Sequence, residues 1–205
     1  MTSPRPPYRG MRLVFALAIS LSLFQLAGAQ QAKPGYRLGE RLPAGSTDTK
    51  PGLTYRTVDW DALLPKGWDP AAELKGLDFA TLKDGDPRAM EAMARMQEMW
   101  DNAPLNPALD NTRVRIAGFV VPLERRGTLI YEFLLVPYFG ACIHLPPPPA
   151  NQIIHVFPAK PVPEATAAEP VWISGAIESG RSKTNMGSAG YRLNADTVAP
   201  FNRKR

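Results

Sequence analysis

Thr112-Arg-Val-Arg-Ile-Ala-Gly-Phe-Val-Val-Pro-Leu123 is the stretch on which the fold turns. Its apolar positions are Val114 and Ile116 before Gly118, then Phe119, Val121 and Leu123 after it. A period of two marks a strand with a covered face. The slip of phase at Gly118 predicts a bulge or sharp coil, since a residue without a side chain permits one. Arg125-Arg126-Gly127 reads as a hairpin turn into a second strand over 129–138. Short β-rich runs at 151–157, 169–178, 191–193 and 197–201 complete the set. Five or six short strands with a bent first member predict a mainly β chain that closes on itself, because closure removes exposed edges. The expected architecture is a small OB-like barrel with accessory helices, the alternative an SH3-like barrel or small β-sandwich.

Upstream of the strands, two helices are expected. Asp59 can cap a short one at Trp60-Asp-Ala-Leu-Leu-Pro65, with Val58 and Leu63 stapling its first turn. Pro65 then stops it, and Trp60, Leu63 and Leu64 form an apolar plug that Trp68 extends. The second runs over 88–100, with Asp86 as cap and Pro87 in the first helical position. Met93, Met96 and Trp100, with Ala89 and Ala92, make a stripe of helical period, the pattern of a helix packed on a core. Copper(I) ligation is the rival reading of such methionines.

The start of the chain is an address. Arg5, Arg9 and Arg12 lead an apolar run over 13–27, and Ala27-Gly28-Ala29 offers a small-residue cleavage site. A run of 15 residues falls short of the roughly 20 that span a bilayer. Residues 1–29 are therefore expected to be a signal peptide cleaved after Ala29, and the product a periplasmic or secreted protein without a transmembrane segment. Residues 30–54 read as a flexible lead-in, 55–201 as a single domain and 202–205 as a basic tail. Three of the 24 basic side chains lie in the first 29 residues, which hold no acid, leaving 21 against 19 acidic. A body so nearly neutral removes the electrostatic support for a nucleic-acid partner, and none is expected. A single cysteine excludes an internal disulfide framework.

Chemistry gathers in one segment, Val136-Pro-Tyr-Phe-Gly-Ala-Cys-Ile-His-Leu-Pro-Pro-Pro-Pro-Ala-Asn-Gln152. The candidate binding motif is Phe139, Gly140, Cys142, His144, Pro146, Pro147, Pro148, Pro149, Asn151 and Gln152. Extended backbone would project Cys142 and His144 to one face. The four prolines would form a stiff polyproline spacer, and the chain would return to bring His155 opposite. Cys142, His144 and His155 thus make a candidate site for zinc or copper. Two readings stand beside it. Cys142 can be a small buried hydrophobe, with His144 bonded to main chain. Alternatively, Cys142 can be a nucleophile activated by His144, although two residues along one strand do not easily turn ring onto thiol. No catalytic residue is assigned, because nucleophile-elbow, phosphate-loop and His-Glu-x-x-His patterns are absent.

Phe139-Gly-Ala-Cys-Ile-His144, the proline run and Asn151-Gln152 closely resemble the hallmark of an exported bacterial family, domain of unknown function 3299. Gly118-Phe-Val-Val-Pro-Leu-Glu124, Glu132-Phe-Leu-Leu-Val-Pro-Tyr138, Trp60-Asp-Ala-Leu-Leu-Pro65 and Gly190-Tyr-Arg-Leu193 extend the match. The resemblance implies a periplasmic component near ABC-type export systems, some under zinc-responsive control, with no assigned activity. It carries Cys142 and His144 but does not extend to His155. Many relatives look like lipoproteins, whereas this sequence lacks the anchor cysteine. The expectation is an accessory protein that touches an inner-membrane transport complex. One alternative is an interaction module docking through the proline loop, with Tyr138 and Phe139 beside it; the other is a thiol enzyme using Cys142.

Overall fold

Alternation places Val114, Ile116 and Val120 of strand β2 (Thr112–Arg126) in the central core, while Phe119 and Val121 join a second cluster on its other face. The computed structural model describes residues 35–42, 55–69 and 87–202. Inward parity runs unbroken through Gly118, so the expected bulge is not there; the register shifts fall between Pro122 and Arg125. What reads as a phase slip is β2 becoming covered on both faces, which makes both parities apolar.

Gly118 serves a different need. It is the last residue of β2 paired to β6 (Val171–Thr184), and Phe119 begins the pairing to β3 (Leu129–Val136). A Cβ on Gly118 would stand 2.7 Å from Leu135 Cγ and 2.9 Å from both Trp60 Cζ2 and the Val136 carbonyl oxygen. The bare backbone lets the indole of Trp60 lie across this handover, where its N–H donates to the Ala117 carbonyl at 2.7 Å.

The remaining strands are β1 (Arg56–Thr57), β4 (Ile154–Pro158), β5 (Val162–Pro163) and β7 (Gly187–Pro200). They form one mixed sheet in the order β1-β2-β6-β7-β4-β3-β5. Because β2 also pairs with β3, the pairings β2–β3–β4–β7–β6 lead back to β2, and the sheet is partly ring-bonded. Within that ring β4 and β7 run parallel and the other neighbours antiparallel. Phe133, Leu135, Ile154, Ile173, Ile177, Tyr191 and Leu193 fill the middle.

Several strand boundaries differ from expectation, two of them substantially. The runs 191–193 and 197–201 belong to one strand, β7, paired with β6 in a long hairpin that closes at Thr184 and Gly187. Ser179-Gly-Arg-Ser-Lys-Thr-Asn-Met-Gly-Ser188 alternates half-buried with exposed positions, but Gly180, Ser182 and Thr184 on the half-buried side are small or polar, so pattern alone reads it as loop. Residues 150–152 form a 3-10 turn before β4 rather than the start of a strand.

The upstream plug follows its sequence signals. Asp59 accepts from the Ala62 N–H at the head of the 3-10 helix Trp60–Leu63, and Val58, Trp60 and Leu63 are buried together. Tyr191 Oη donates to the Leu63 carbonyl at 2.7 Å and itself accepts from the Asn106 N–H at 2.6 Å. Helix α1 (Pro87–Asp101) departs from expectation on one side. Ala92 is buried and Ala89, Met96 and Trp100 are half-buried, whereas Met93 is 60% exposed and lies outside the covered stripe. The expected Asp86 cap, the leader 1–29 and most of 30–54 lie outside the described residues. Among the described residues no helix is long and apolar enough to cross a membrane.

Candidate functional site

After β3 the chain turns at Pro137 and winds tightly instead of continuing extended. Gly140 takes φ +84°, and its carbonyl accepts from the N–H groups of Ile143, His144 and Leu145 at 3.3, 2.8 and 3.0 Å. Cys142 itself sits at φ +64°, the left-handed region that a side chain with a Cβ rarely adopts. Cys142 and His144 are therefore not alternate residues of a strand, and the expected common face does not arise that way. Cys142 is half-buried against the cluster of Phe119, Leu134, Ala141, Ile153 and Ala189, with Met186 on the same cluster. Ile143 is 55% exposed and His144 is exposed.

Burial pushes the Cys142 thiol from 9.0 up to about 11, so it carries its proton at neutral pH. Tyr138 is raised too, first by burial and then by the neighbouring Cys142, against a smaller lowering effect of Arg41. Its hydroxyl donates to the Pro146 carbonyl at 3.2 Å and so ties the two limbs of the loop together. Pro146 is exposed, Pro147 half-buried and Pro148 buried. Pro149, at φ −55° and ψ 150°, ends the run by accepting from the Gln152 N–H at 2.7 Å.

A strap outside the strands supports the loop. Gly39 N–H donates to Phe139 O at 2.9 Å, Phe139 N–H donates to Glu40 O at 3.0 Å, and Arg41 bridges antiparallel to Tyr138. Tyr36 and Phe139 both set their rings against Phe119, at 5.3 and 5.7 Å. This strap belongs to the stretch expected as lead-in. Asn151 and Gln152 work inward: Asn151 Nδ2 donates to the Pro104 carbonyl at 2.9 Å and Gln152 Nε2 to the Trp60 carbonyl at 2.8 Å. Both are buried; Gln152 clamps the loop's base onto the Trp60 plug, and Asn151 ties it to the segment after α1.

His155 has surroundings of its own. It is 7% exposed on β4, with Nδ1 2.8 Å from Ser182 Oγ and its ring tilted against Phe157 at 4.4 Å. Nε2 lies 2.7 Å from Glu132 Oε1, off the direction of an ideal ring N–H donor. Burial, with Arg192 assisting, lowers its pKa below 6.5, while Glu132 opposes the shift. Glu132, Ser182 and Arg192 are not among the site residues expected from the sequence, although Glu132 and Arg192 fall in the quoted motif stretches. Glu132 alone had a signal, as a carboxylate inside an apolar strand. Among the described residues no three His, Cys, Asp or Glu side chains gather as a metal site would require.

The chain matches, over residues 60–200, the family model described as protein of unknown function (DUF3299). A crystallised DUF3299 family protein from Pseudomonas aeruginosa PAO1 is 35% identical, with a TM-score of 0.59, and the match covers 74% of this chain and 99% of that one. Two OBody chains bound to hen egg-white lysozyme, AM3L15 and AM3L09, are 16% and 17% identical, each with a TM-score of 0.29. Those matches cover 49% and 48% of this chain and 85% and 90% of theirs, a likeness too low to bear on the fold. No curated protein matches. With the glycine-hinged cysteine loop, the proline run and the Trp60 plug all inside the matched span, the chain belongs to the DUF3299 family.

Proposed function

We propose that this chain is an exported, non-enzymatic accessory protein of the periplasm that docks onto an ABC-type inner-membrane transport complex through the loop 137–149. Cys142 and His144 would give that loop a soft contact point for zinc or copper, with remaining ligands from water or the partner. One observation carries the reading: a cysteine held in the left-handed region beside an exposed isoleucine and an exposed histidine. Such a conformation costs on the order of 1 kcal/mol or more and persists only where surroundings impose it, most often at working sites. Here the Gly140 carbonyl, the strap 36–42 and the anchored proline run impose it. Export is supported by the leader layout of residues 1–29, and the transport partner by the family resemblance.

The partly ring-bonded sheet supports a finer reading of the fold as an OB-type barrel. Its five central strands pair in the cyclic order β2–β3–β4–β7–β6, with a single parallel contact, β4 to β7. His155 is left out of the proposed metal set, because Ser182 and Glu132 already stand at its ring nitrogens. The thiol-enzyme alternative draws no support from a thiol that burial keeps protonated.

Capture of solubilised transport complexes on the immobilised chain tests the docking. Ile143→Asp should lower recovery of ABC-type membrane components at least tenfold, and Cys142→Ser should lower it less. Full recovery by Ile143→Asp would remove the loop from the interface. For the metal, calorimetry on chelator-treated protein should show near one zinc or copper per chain, weakened at least tenfold by Cys142→Ser. No heat with either metal would remove that part alone.

A further inference from the structure

Four of the seven methionines of this chain stand in ten residues of α1, at positions 90, 93, 96 and 99. Packing explains only some of them. At 100° per residue Met90 lies about 200° around the helix from the buried Ala92, and Met90 and Met93 are 70% and 60% exposed. An exposed thioether contributes almost nothing to burial, so core packing does not account for Met90 and Met93. Positions three apart on a helix are neighbours, with Cβ atoms about 5–6 Å apart. The unbranched, three-bond methionine side chain can fold two sulfur atoms onto one point. Met96, half-buried one step further along the same spiral, can supply a third. The nearest ion pair on the helix, Glu91 with Arg95, is satisfied internally at 2.7 Å and leaves the sulfur atoms without a hard competing ligand in that pair.

We propose that Met90 and Met93, with Met96 behind them, form a thioether site for a soft monovalent cation, Cu(I), for which Ag(I) is the redox-stable probe. Neutral thioethers prefer soft ions such as Cu(I), and without a thiolate's charge they hold zinc weakly, so this site differs in chemistry from a thiolate–imidazole site and stands independently of the role proposed for Cys142. No bond is made or broken in the protein and no electron is transferred. The ion exchanges solvent or buffer ligands for sulfur.

The test uses the chain carrying Cys142→Ser, so that no thiol competes, with 13C-labelled methionine methyl groups. Titration with silver nitrate in chloride-free buffer should shift the methyl signals of Met90 and Met93 together, with Met96 following, and saturate near one equivalent. Met186 should not move, and zinc should shift none of them. The double variant Met90→Leu/Met93→Leu keeps helix propensity and apolar character, and should bind Ag(I), and Cu(I) held reduced by ascorbate, at least tenfold more weakly. Equal affinity in the leucine variant, or methyl signals that ignore Ag(I), would overturn the proposal. A folded-state spectrum identical to the parent's guards against a structural explanation.

Discussion

Modification of Cys142 by iodoacetamide follows directly from its burial. The thiol stands near 11 against an ordinary 9.0, and only the thiolate attacks. At pH 7 about one molecule in ten thousand would carry the anion, against about one in a hundred for an unburied cysteine. Alkylation of the folded chain should therefore run about 100-fold slower than that of a small thiol under the same conditions. The rate should climb roughly tenfold per pH step toward 11, since each step raises the thiolate fraction by that factor. Unfolding should restore the ordinary rate at once. The assay is quenched-flow alkylation read by intact mass, with and without denaturant, between pH 7 and 10. The reasoning is refuted by fast labelling of the folded chain at pH 7 that already levels off below pH 8. That profile would mean a stabilised thiolate and would revive the nucleophile reading.

Other consequences can be checked by equilibrium unfolding. Gly118→Ala forces a Cβ into Leu135, Trp60 and the Val136 carbonyl, and should destabilise the fold by about 1–3 kcal/mol as overpacking does; a neutral result would mean that the Trp60 plug moves freely. Gln152→Ala strands the Trp60 carbonyl beneath the plug and should cost about 1–3 kcal/mol, measured by urea midpoint at unchanged slope. His155 has a folded pKa below its unfolded 6.5, so the unfolded chain takes up the proton first on acidification. Its contribution to stability is present above about pH 6.5 and is lost as pH falls through the folded value; His155→Asn should flatten that part of the stability–pH curve. If metal enters at Cys142 it must displace the thiol proton, so affinity should rise with pH and binding should release a proton into a weakly buffered solution.

The sequence signals and the structure part company for identifiable reasons. Local chemistry was legible where a residue acts on its own neighbours: Asp59 caps the 3-10 helix, and Gly127 turns β2 into β3 at φ +60°. Gly118 was noticed correctly but given the wrong task, because its crowding comes from Trp60 and Leu135, far off in the chain. The polar half of the β6–β7 hairpin was invisible, since its half-buried alternate positions Gly180, Ser182 and Thr184 are small or polar and leave no hydrophobic period to read. At the site, composition drew attention to Cys142, His144 and His155 but could not tell that Gly140 would coil the first two out of an extended path. Nor could it foresee that Ser182, from a glycine- and serine-rich run, would meet His155 across 27 residues. Met93 shows the limit of periodicity: it keeps helical spacing with the stripe yet falls just beyond the covered arc.

The claim that matters most is that the coiled cysteine loop faces a membrane transport partner. A photo-crosslinking amino acid placed at Ile143 in living cells tests it most directly, with the exposed Lys160 as a control position. The account predicts an adduct between position 143 and a periplasmic part of an ABC-type transport complex, identified by mass spectrometry, and none from position 160. A chain that crosslinks to that complex from 160 but not from 143, or to no membrane component from either position, would contradict it.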